Sequence, residues 1–333
     1  MRLKRFTESA RMLDPRSGFS EGRQNVEVRV DPLTGTVCRI NLARISRPKQ
    51  SLKRVEEGVP AKCPFCPENL ERDTPKFPLD LVPEGRLRLG GAILFPNLFP
   101  LSDLHGLCVF TPEHKLDLDR FTREEIYDGI TCCRRFFEIC DRKGTPFHFL
   151  GWNHLSSSGA SLLHPHFQVM ASKKPLHGPK SFFDASERYR RREGRSFWSD
   201  LISSERGSPR CIGETAGFLW FAPWAPTGAF EVIGVSGNAK TSLLQLDGME
   251  MEGLSVGIVK ILGGLWNLGA TSVTMALISW PNSEGADRFS MSVRIMVRPS
   301  GNIADRAFLE LYGGEVGLTT LPEEYAKALR ESF

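Results

Sequence analysis

One succession of patterns occurs twice in this chain, and it limits the available folds more than any single motif does. Period-two alternation marks strands within 25–42, on either side of the turn Asp31-Pro-Leu-Thr-Gly35, and two more short strands between 91 and 110. A helical pattern follows over 122–143, with apolar or aromatic positions at Ile126, Ile130, Phe136, Phe137 and Ile139. Thr122 followed by Glu125 makes a capping box for it. Strands return at 147–152 and 164–170. The series then restarts with strands at 210–221 and 230–235, a helix at 246–266, strands at 273–280 and 290–298, and a last helix from Pro322. Strand, strand, helix, strand, strand, taken twice, predicts an α+β protein of two similar halves, each an antiparallel sheet with packed helices. The first half spans 26–172 and the second 211–333. Between them, 173–210 is rich in charge, Ser and Gly and reads as a linker or excursion. Residues 1–25 are polar and aperiodic and read as an irregular N-terminal arm.

With 333 residues, two such halves can bury a sizeable core without staples. The longest weakly polar stretch, 254–268, is broken by Lys260 and by glycines and is too short to span a membrane. Residues 1–11 carry charges with no apolar segment behind them, so they do not read as a secretory signal, and a cytoplasmic protein is expected. A net charge of +4 is small for this length and argues against a nucleic-acid binder. The densest basic run, 188–195, is interleaved with Glu187 and Glu193 and reads as a solvated face.

Eight cysteines in such a compartment are expected to be reduced. Cys132, Cys133 and Cys140 fall on the helical pattern and Cys38, Cys108 and Cys211 in strand-like contexts, all as small core residues. Cys63-Pro-Phe-Cys66 differs, because it puts two thiols on one tight turn, as zinc sites commonly do. A pair of reduced core cysteines or a redox motif is the competing reading. The redox reading is the weaker, because the pair lies in a proline-rich loop and not where a strand enters a helix. Further ligands must come from seven histidines, among them His105, His114, His154 and His164.

His164-Pro-His166-Phe-Gln168 is the second chemical signature. On a strand, alternate residues share a face, so His164, His166 and Gln168 are expected to line up. Two ordinary histidines at a sheet edge would fit the same spacing. Against that bland reading stand Asn153 and the loop Ser156-Ser-Ser-Gly-Ala-Ser161, whose hydroxyls and backbone N–H groups suit a phosphate. A neutral imidazole can attack phosphorus directly, and a glutamine can donate to a phosphoryl oxygen without acting as acid or base. Arg44 and Arg47 can hold further phosphate oxygens by charge-assisted bonds.

Together these motifs resemble the galactose-1-phosphate uridylyltransferase family, the transferase branch of the histidine-triad superfamily. The resemblance runs from about Asp31 to the C-terminus and is strongest up to Met170. It implies zinc held by Cys63, Cys66, His114 and His164, with His166 as nucleophile and Gln168 as phosphate donor. It further implies nucleotide contacts from Arg44, Arg47, Asn97, Asn153 and Ser161, sugar contacts from Phe308 and Tyr312, and a homodimer. Three departures stand out. Phe167 replaces the usual glycine and puts bulk where a substrate or lid would approach. No histidine follows His177, so the second metal site of some members cannot be built. Gly313 stands where a hexose-binding glutamate is expected, with Glu315 nearby as a substitute after a shift.

The resemblance implies a nucleotidyltransferase that moves a nucleoside monophosphate between a nucleotide sugar and a sugar 1-phosphate through a covalent nucleotidyl-His166 intermediate. The alternative keeps the chemistry and uses inorganic phosphate as acceptor, on a nucleotide sugar or a dinucleoside polyphosphate. A third reading is a zinc-stabilised nucleotide-binding protein without turnover, its site blocked by Phe167.

Overall fold

Both runs of the repeated pattern form as expected, and they share one sheet. The computed structural model describes residues 1–46, 62–281, 288–298 and 308–333. The first half contributes β4 (Leu87–Leu89), β5 (Ala92–Pro96), β6 (Leu104–Val109), β7 (Phe147–Asn153) and β8 (His166–Ser172), with helices α1 (Pro67–Asp73) and α2 (Arg123–Arg142). The second contributes β9 (Cys211–Thr215), β10 (Phe218–Phe221), β11 (Val232–Ser236), β12 (Ser272–Ile278) and β13 (Ser292–Arg298), with α5 (Gly248–Asn267). The strands lie in the order β4-β5-β6-β8-β7-β12-β13-β11-β10-β9, all antiparallel. The halves join where β7 meets β12, from Asn153 opposite Thr274 to Phe149 opposite Ile278.

Helices α2 and α5 pack against each other on one face of this sheet. Each starts at a reciprocal cap: Thr122 N–H donates to Glu125 Oε2 (2.9 Å) and Glu125 N–H to Thr122 Oγ1 (3.2 Å), and Asp247 and Glu250 do the same for α5 (3.0 and 2.8 Å). Such caps satisfy end N–H groups that the helix cannot, at about 1 kcal/mol each. Packing supplies most of the rest, because α2 and the sheet enclose Phe110, Phe121, Phe136, Phe137, Trp152 and Phe167, all buried.

On the opposite face the halves differ. The segment expected to be a linker folds as α3 (His177–Glu193) and α4 (Phe197–Glu205), whose Tyr189, Phe197, Trp198 and Leu201 pack on Leu219, Phe221, Ile233 and Val235. In the first half that face instead carries the Cys-x-x-Cys turn, through a cluster of Phe65, Leu70, Phe95, Leu107 and Val109.

Residues 1–25, expected to be irregular, lie largely in β1 (Lys4–Asp14) and β2 (Ser20–Val30), an antiparallel hairpin. Its outer part is exposed on both faces, so no apolar alternation marks it in the sequence. With β3 (Val37–Ile40) and β14 (Glu315–Leu318) it makes a separate four-stranded sheet in which β3 and β14 run parallel. Arg29 fastens that sheet to the second half. Its buried guanidinium lies 4.2 Å from the Trp224 ring centroid and donates to Glu323 Oε1 (2.9 Å) in α6 (Pro322–Leu329). Arg210 reaches the same carboxylate (3.3 Å) and the same ring (5.1 Å), and also pairs with Glu205 (2.9 Å). Among the described residues no helix is long and apolar enough to cross a membrane.

Candidate active site

Cys63, Cys66, His114 and His164 converge, with their ligand atoms all within 4.8 Å of one another. The turn closes through Cys66 N–H to Cys63 O (3.3 Å), and Pro67 then starts α1, where a missing N–H costs nothing. Asn69 Nδ2 donates back to Cys63 O (2.9 Å). His114 follows the end of β6 and His164 precedes β8, so two adjacent strands aim the imidazoles at the turn.

The geometry suits a tetrahedral ion. Zn–S and Zn–N bonds of about 2.3 and 2.0 Å imply S···N edges of about 3.5 Å. Cys66 Sγ lies 3.4 Å from His114 Nδ1 and 3.8 Å from His164 Nδ1, and Cys63 Sγ lies 3.9 Å from His164 Nδ1. His164 Nε2 donates to Thr111 O (2.9 Å), which leaves the Nδ1 lone pair facing the cluster. Burial, then the neighbouring Cys63, pushes the Cys66 thiol up to about 11, so thiolates here call for a cation. His105 and His154, both open as ligands from spacing alone, lie outside the cluster.

His166 opens β8, whereas His164 falls just before it, so only His166 and Gln168 share the strand face expected of all three. His166 Nδ1 donates to His164 O (2.8 Å), which places the lone pair on Nε2. Burial lowers the His166 pKa and keeps the ring neutral. The edge of Phe65 sits against it, with centroids 5.2 Å apart. His164 thus serves twice, through its ring in the cluster and through its carbonyl on His166.

Phe167 points the other way. It is fully buried on the α2 face, stacked on Phe110 (4.2 Å) and edge-on to Trp152 (5.6 Å). Gly129 makes room for it: a Cβ there would lie 2.8 Å from both Phe110 Cβ and Phe167 Cε2. The bulk expected in the site is therefore core, as the parity of a strand requires.

Gln168 Oε1 lies 3.3 Å from Nε2 of His105, and Asn97 Nδ2 lies 3.3 Å from the same nitrogen, so Asn97 just past β5, His105 on β6 and Gln168 on β8 form a row. Spacing did not single out the place of His105 in this row. The available signal was its alternation with Leu107 and Val109, which line the same face. Asn153 ends β7, and its amide lies beside the backbone at Gly159, where φ is +95°. Leu155 between them is held at φ +66°, an uncommon value for a branched side chain and one that concentrates at working sites. Ser161 is exposed on the same loop.

The other expected contacts lie elsewhere. Arg44 is exposed after β3, and Phe308 and Tyr312 are exposed just before β14. All three flank the four-stranded sheet, and none makes a described hydrogen bond or ring contact with the His166 face. Arg47 lies outside the described residues. Glu315 is engaged, accepting from Arg39 Nε, and Arg39 also donates to Glu8 (2.7 Å).

Ten antiparallel strands in two like halves, one of them bearing a Cys/His cluster beside a His-x-Gln strand, make up a fold shared with solved nucleotide-sugar enzymes. Comparison with solved structures shows this fold directly. An ADP-glucose phosphorylase from Arabidopsis thaliana with bound ADP-glucose matches with a TM-score of 0.76 at 21% identity, over 92% of this chain and 99% of that one. A uridylyltransferase matches with a TM-score of 0.71 at 19% identity, over 92% and 97%. In sequence, an uncharacterized protein of Archaeoglobus fulgidus is 29% identical over 312 residues, 92% of each chain. ADP-glucose phosphorylase of Arabidopsis thaliana is 23% identical over 273 residues, 74% of this chain and 75% of that one. No protein-family model matches the chain.

Proposed function

We propose that this chain is a nucleotidyltransferase working by double displacement through His166. One observation carries the reading: a neutral imidazole whose Nδ1–H is held by His164 O at 2.8 Å leaves its lone pair on Nε2, on the strand face it shares with Gln168. Nε2 attacks the α-phosphorus of a nucleoside diphosphate sugar, a P–N bond forms, and the bond to the bridging oxygen breaks to release sugar 1-phosphate. The proton stays on Nδ1, where the carbonyl offsets the charge gained by the ring. A phosphate oxygen of the acceptor then attacks the same phosphorus and expels His166. Gln168 donates to a non-bridging oxygen and carries no proton in either step. Asn153 and Ser161 line the phosphoryl position, and Asn97 the nucleoside.

Cys63, Cys66, His114 and His164 would hold zinc, which orders the segment carrying the nucleophile and supplies no reacting group. Arg44, Arg47, Phe308 and Tyr312 would act in a homodimer, completing the site of the other copy. This accounts for the exposure of Arg44, Phe308 and Tyr312 beside the small four-stranded sheet. We place the enzyme in the cytoplasm and treat the chain as two halves, with α3 and α4 belonging to the second.

Inorganic phosphate is the favoured acceptor. The one carboxylate offered in place of the hexose-binding glutamate, Glu315, is taken by Arg39, and the Arabidopsis relative is a phosphorylase by name. Phe167, turned into the core, leaves the reading without turnover no obstruction to rest on.

The test uses ADP-glucose and UDP-glucose labelled at the α-phosphorus, incubated with protein and no acceptor. The expected result is label on the protein, absent in His166→Gly, and discharged by phosphate more readily than by hexose 1-phosphate. Undiminished labelling of His166→Gly, or none of the wild-type chain, refutes the assignment.

A further inference from the structure

We infer that His105 is a positioning residue that fixes which way the Gln168 carboxamide faces. This rests on the reading of His166 and Gln168 given above. The imidazole of His105 is buried, 4% exposed, on the site face of β6. Its Nδ1 lies 3.1 Å from the backbone N–H of Leu101, a group that can only donate, so Nδ1 carries the lone pair. In the neutral ring the proton then sits on Nε2. Burial, the largest influence on this group, lowers its pKa and so favours that neutral form.

Nε2–H faces two carboxamides. Gln168 Oε1 lies at 3.3 Å and accepts. Asn97 Nδ2 also lies at 3.3 Å, but it is a donor, and Asn97 Oδ1 is already engaged by Phe99 N–H (2.9 Å). Asn97 therefore makes a packing contact with the ring, and the Gln168 oxygen takes the proton.

The consequence follows from the asymmetry of an amide. Glutamine has one accepting and one donating end, and a flipped carboxamide would turn its oxygen toward a negatively charged phosphoryl group. With Oε1 bound to His105, the NH2 group is left on the side away from β6's His105, available to a non-bridging oxygen. The tautomer of His105 is set by a loop backbone, so the relay runs from Leu101 N–H through the ring to Gln168. No proton moves along it. The arrangement only selects an orientation before substrate arrives, as supporting hydrogen bonds do at other preorganised sites.

A double-mutant cycle tests this, with His105→Ala, Gln168→Ala and the pair, each checked by its thermal melt and its metal content. The readout is the single-turnover rate and half-saturation concentration for labelling His166 with α-labelled ADP-glucose and UDP-glucose. His105→Ala should lower the rate roughly 10- to 100-fold, the range typical of lost supporting groups, with little change in half-saturation. In the Gln168→Ala background the same change should have no further effect. His105→Gln, which restores an N–H donor, should recover part of the rate. An effect that adds fully to that of Gln168→Ala, or no effect at all, overturns the inference while wild-type labelling leaves the nucleophile assignment intact. Absence of wild-type labelling removes both.

Discussion

Phe167→Ala separates a core role for this ring from a role in the site. The ring is fully buried, stacked 4.2 Å from Phe110, edge-on to Trp152 and seated over Gly129, on a strand, β8, that is hydrogen-bonded on both sides to β6 and β7 and cannot shift to close the gap. Truncating such a phenylalanine costs 3–5 kcal/mol, and a site that cannot collapse puts the figure at about 4. At ~2.1 cal/mol/K per residue, 333 residues give an unfolding entropy of ~0.7 kcal/mol/K, so the melting temperature should fall by about 6 °C. Calorimetry reads this, and labelling of His166 well below the transition should proceed at the wild-type rate, since the lost atoms lie on the far face of the strand. Gly129→Ala supplies the cross-check. Its Cβ meets Phe110 and Phe167 at 2.8 Å and should cost roughly 1–3 kcal/mol alone. Combined with Phe167→Ala it should cost less than the sum, because half of the clash is gone. A variant that melts like wild type but labels with altered half-saturation would mean that the ring lies in the site, and the reasoning fails.

Acid should weaken the fold through His148 and His154, each lowered to about 4, chiefly by burial. The unfolded chain takes up these protons below about pH 6.5 and the folded one only near 4, so stability is full above that window and falls as pH drops through it, by at most roughly 3 kcal/mol per histidine. A melting temperature flat across the window refutes this. Glu323→Ala removes a carboxylate shared by Arg29 and Arg210 beside Trp224, and should cost roughly 1.5–3 kcal/mol in lost charge-assisted hydrogen bonds, because Arg29 keeps Glu27 and Arg210 keeps Glu205. An unchanged denaturant midpoint would show that the network contributes nothing. Metal analysis of the purified chain should find zinc, lost in Cys63→Ser, and a metal content indifferent to that substitution would exclude the cluster as its holder.

What was legible in the sequence is what periodicity and short spacing carry. The two long helices announce themselves by apolar periodicity, the first also by its Thr122–Glu125 pair, and the strands of both halves by alternation. Cys63 with Cys66, and His166 with Gln168, are close in sequence, so local geometry alone makes them neighbours. The outer part of the first hairpin, before residue 25, escaped because it is largely exposed and leaves no apolar alternation to read. Helix α3 escaped for a related reason: it turns Pro179, Ala185, Ser186 and Tyr189 inward, a stripe too small and too polar to stand out. The role of Phe167 was legible by parity, since residues 166 and 168 on one face put 167 on the other. His105 needed the sheet order itself, because nothing in the sequence says that β6 lies beside β8.

The junction of β7 with β12 has a meaning beyond holding the halves together. By position in the sheet β7 and β12 are counterparts, as are β8 and β13, β6 and β11, and α2 and α5. Counterpart strands that meet antiparallel are what a two-fold axis produces when identical subunits share an edge. The chain therefore has the form of an isologous dimer written as one polypeptide. The two halves differ in what they carry: β13, in the place of β8, has Ser292, Arg294 and Met296 and no histidine. The first half carries the Cys/His cluster and His166, while the second carries α3, α4 and the contacts to the small sheet.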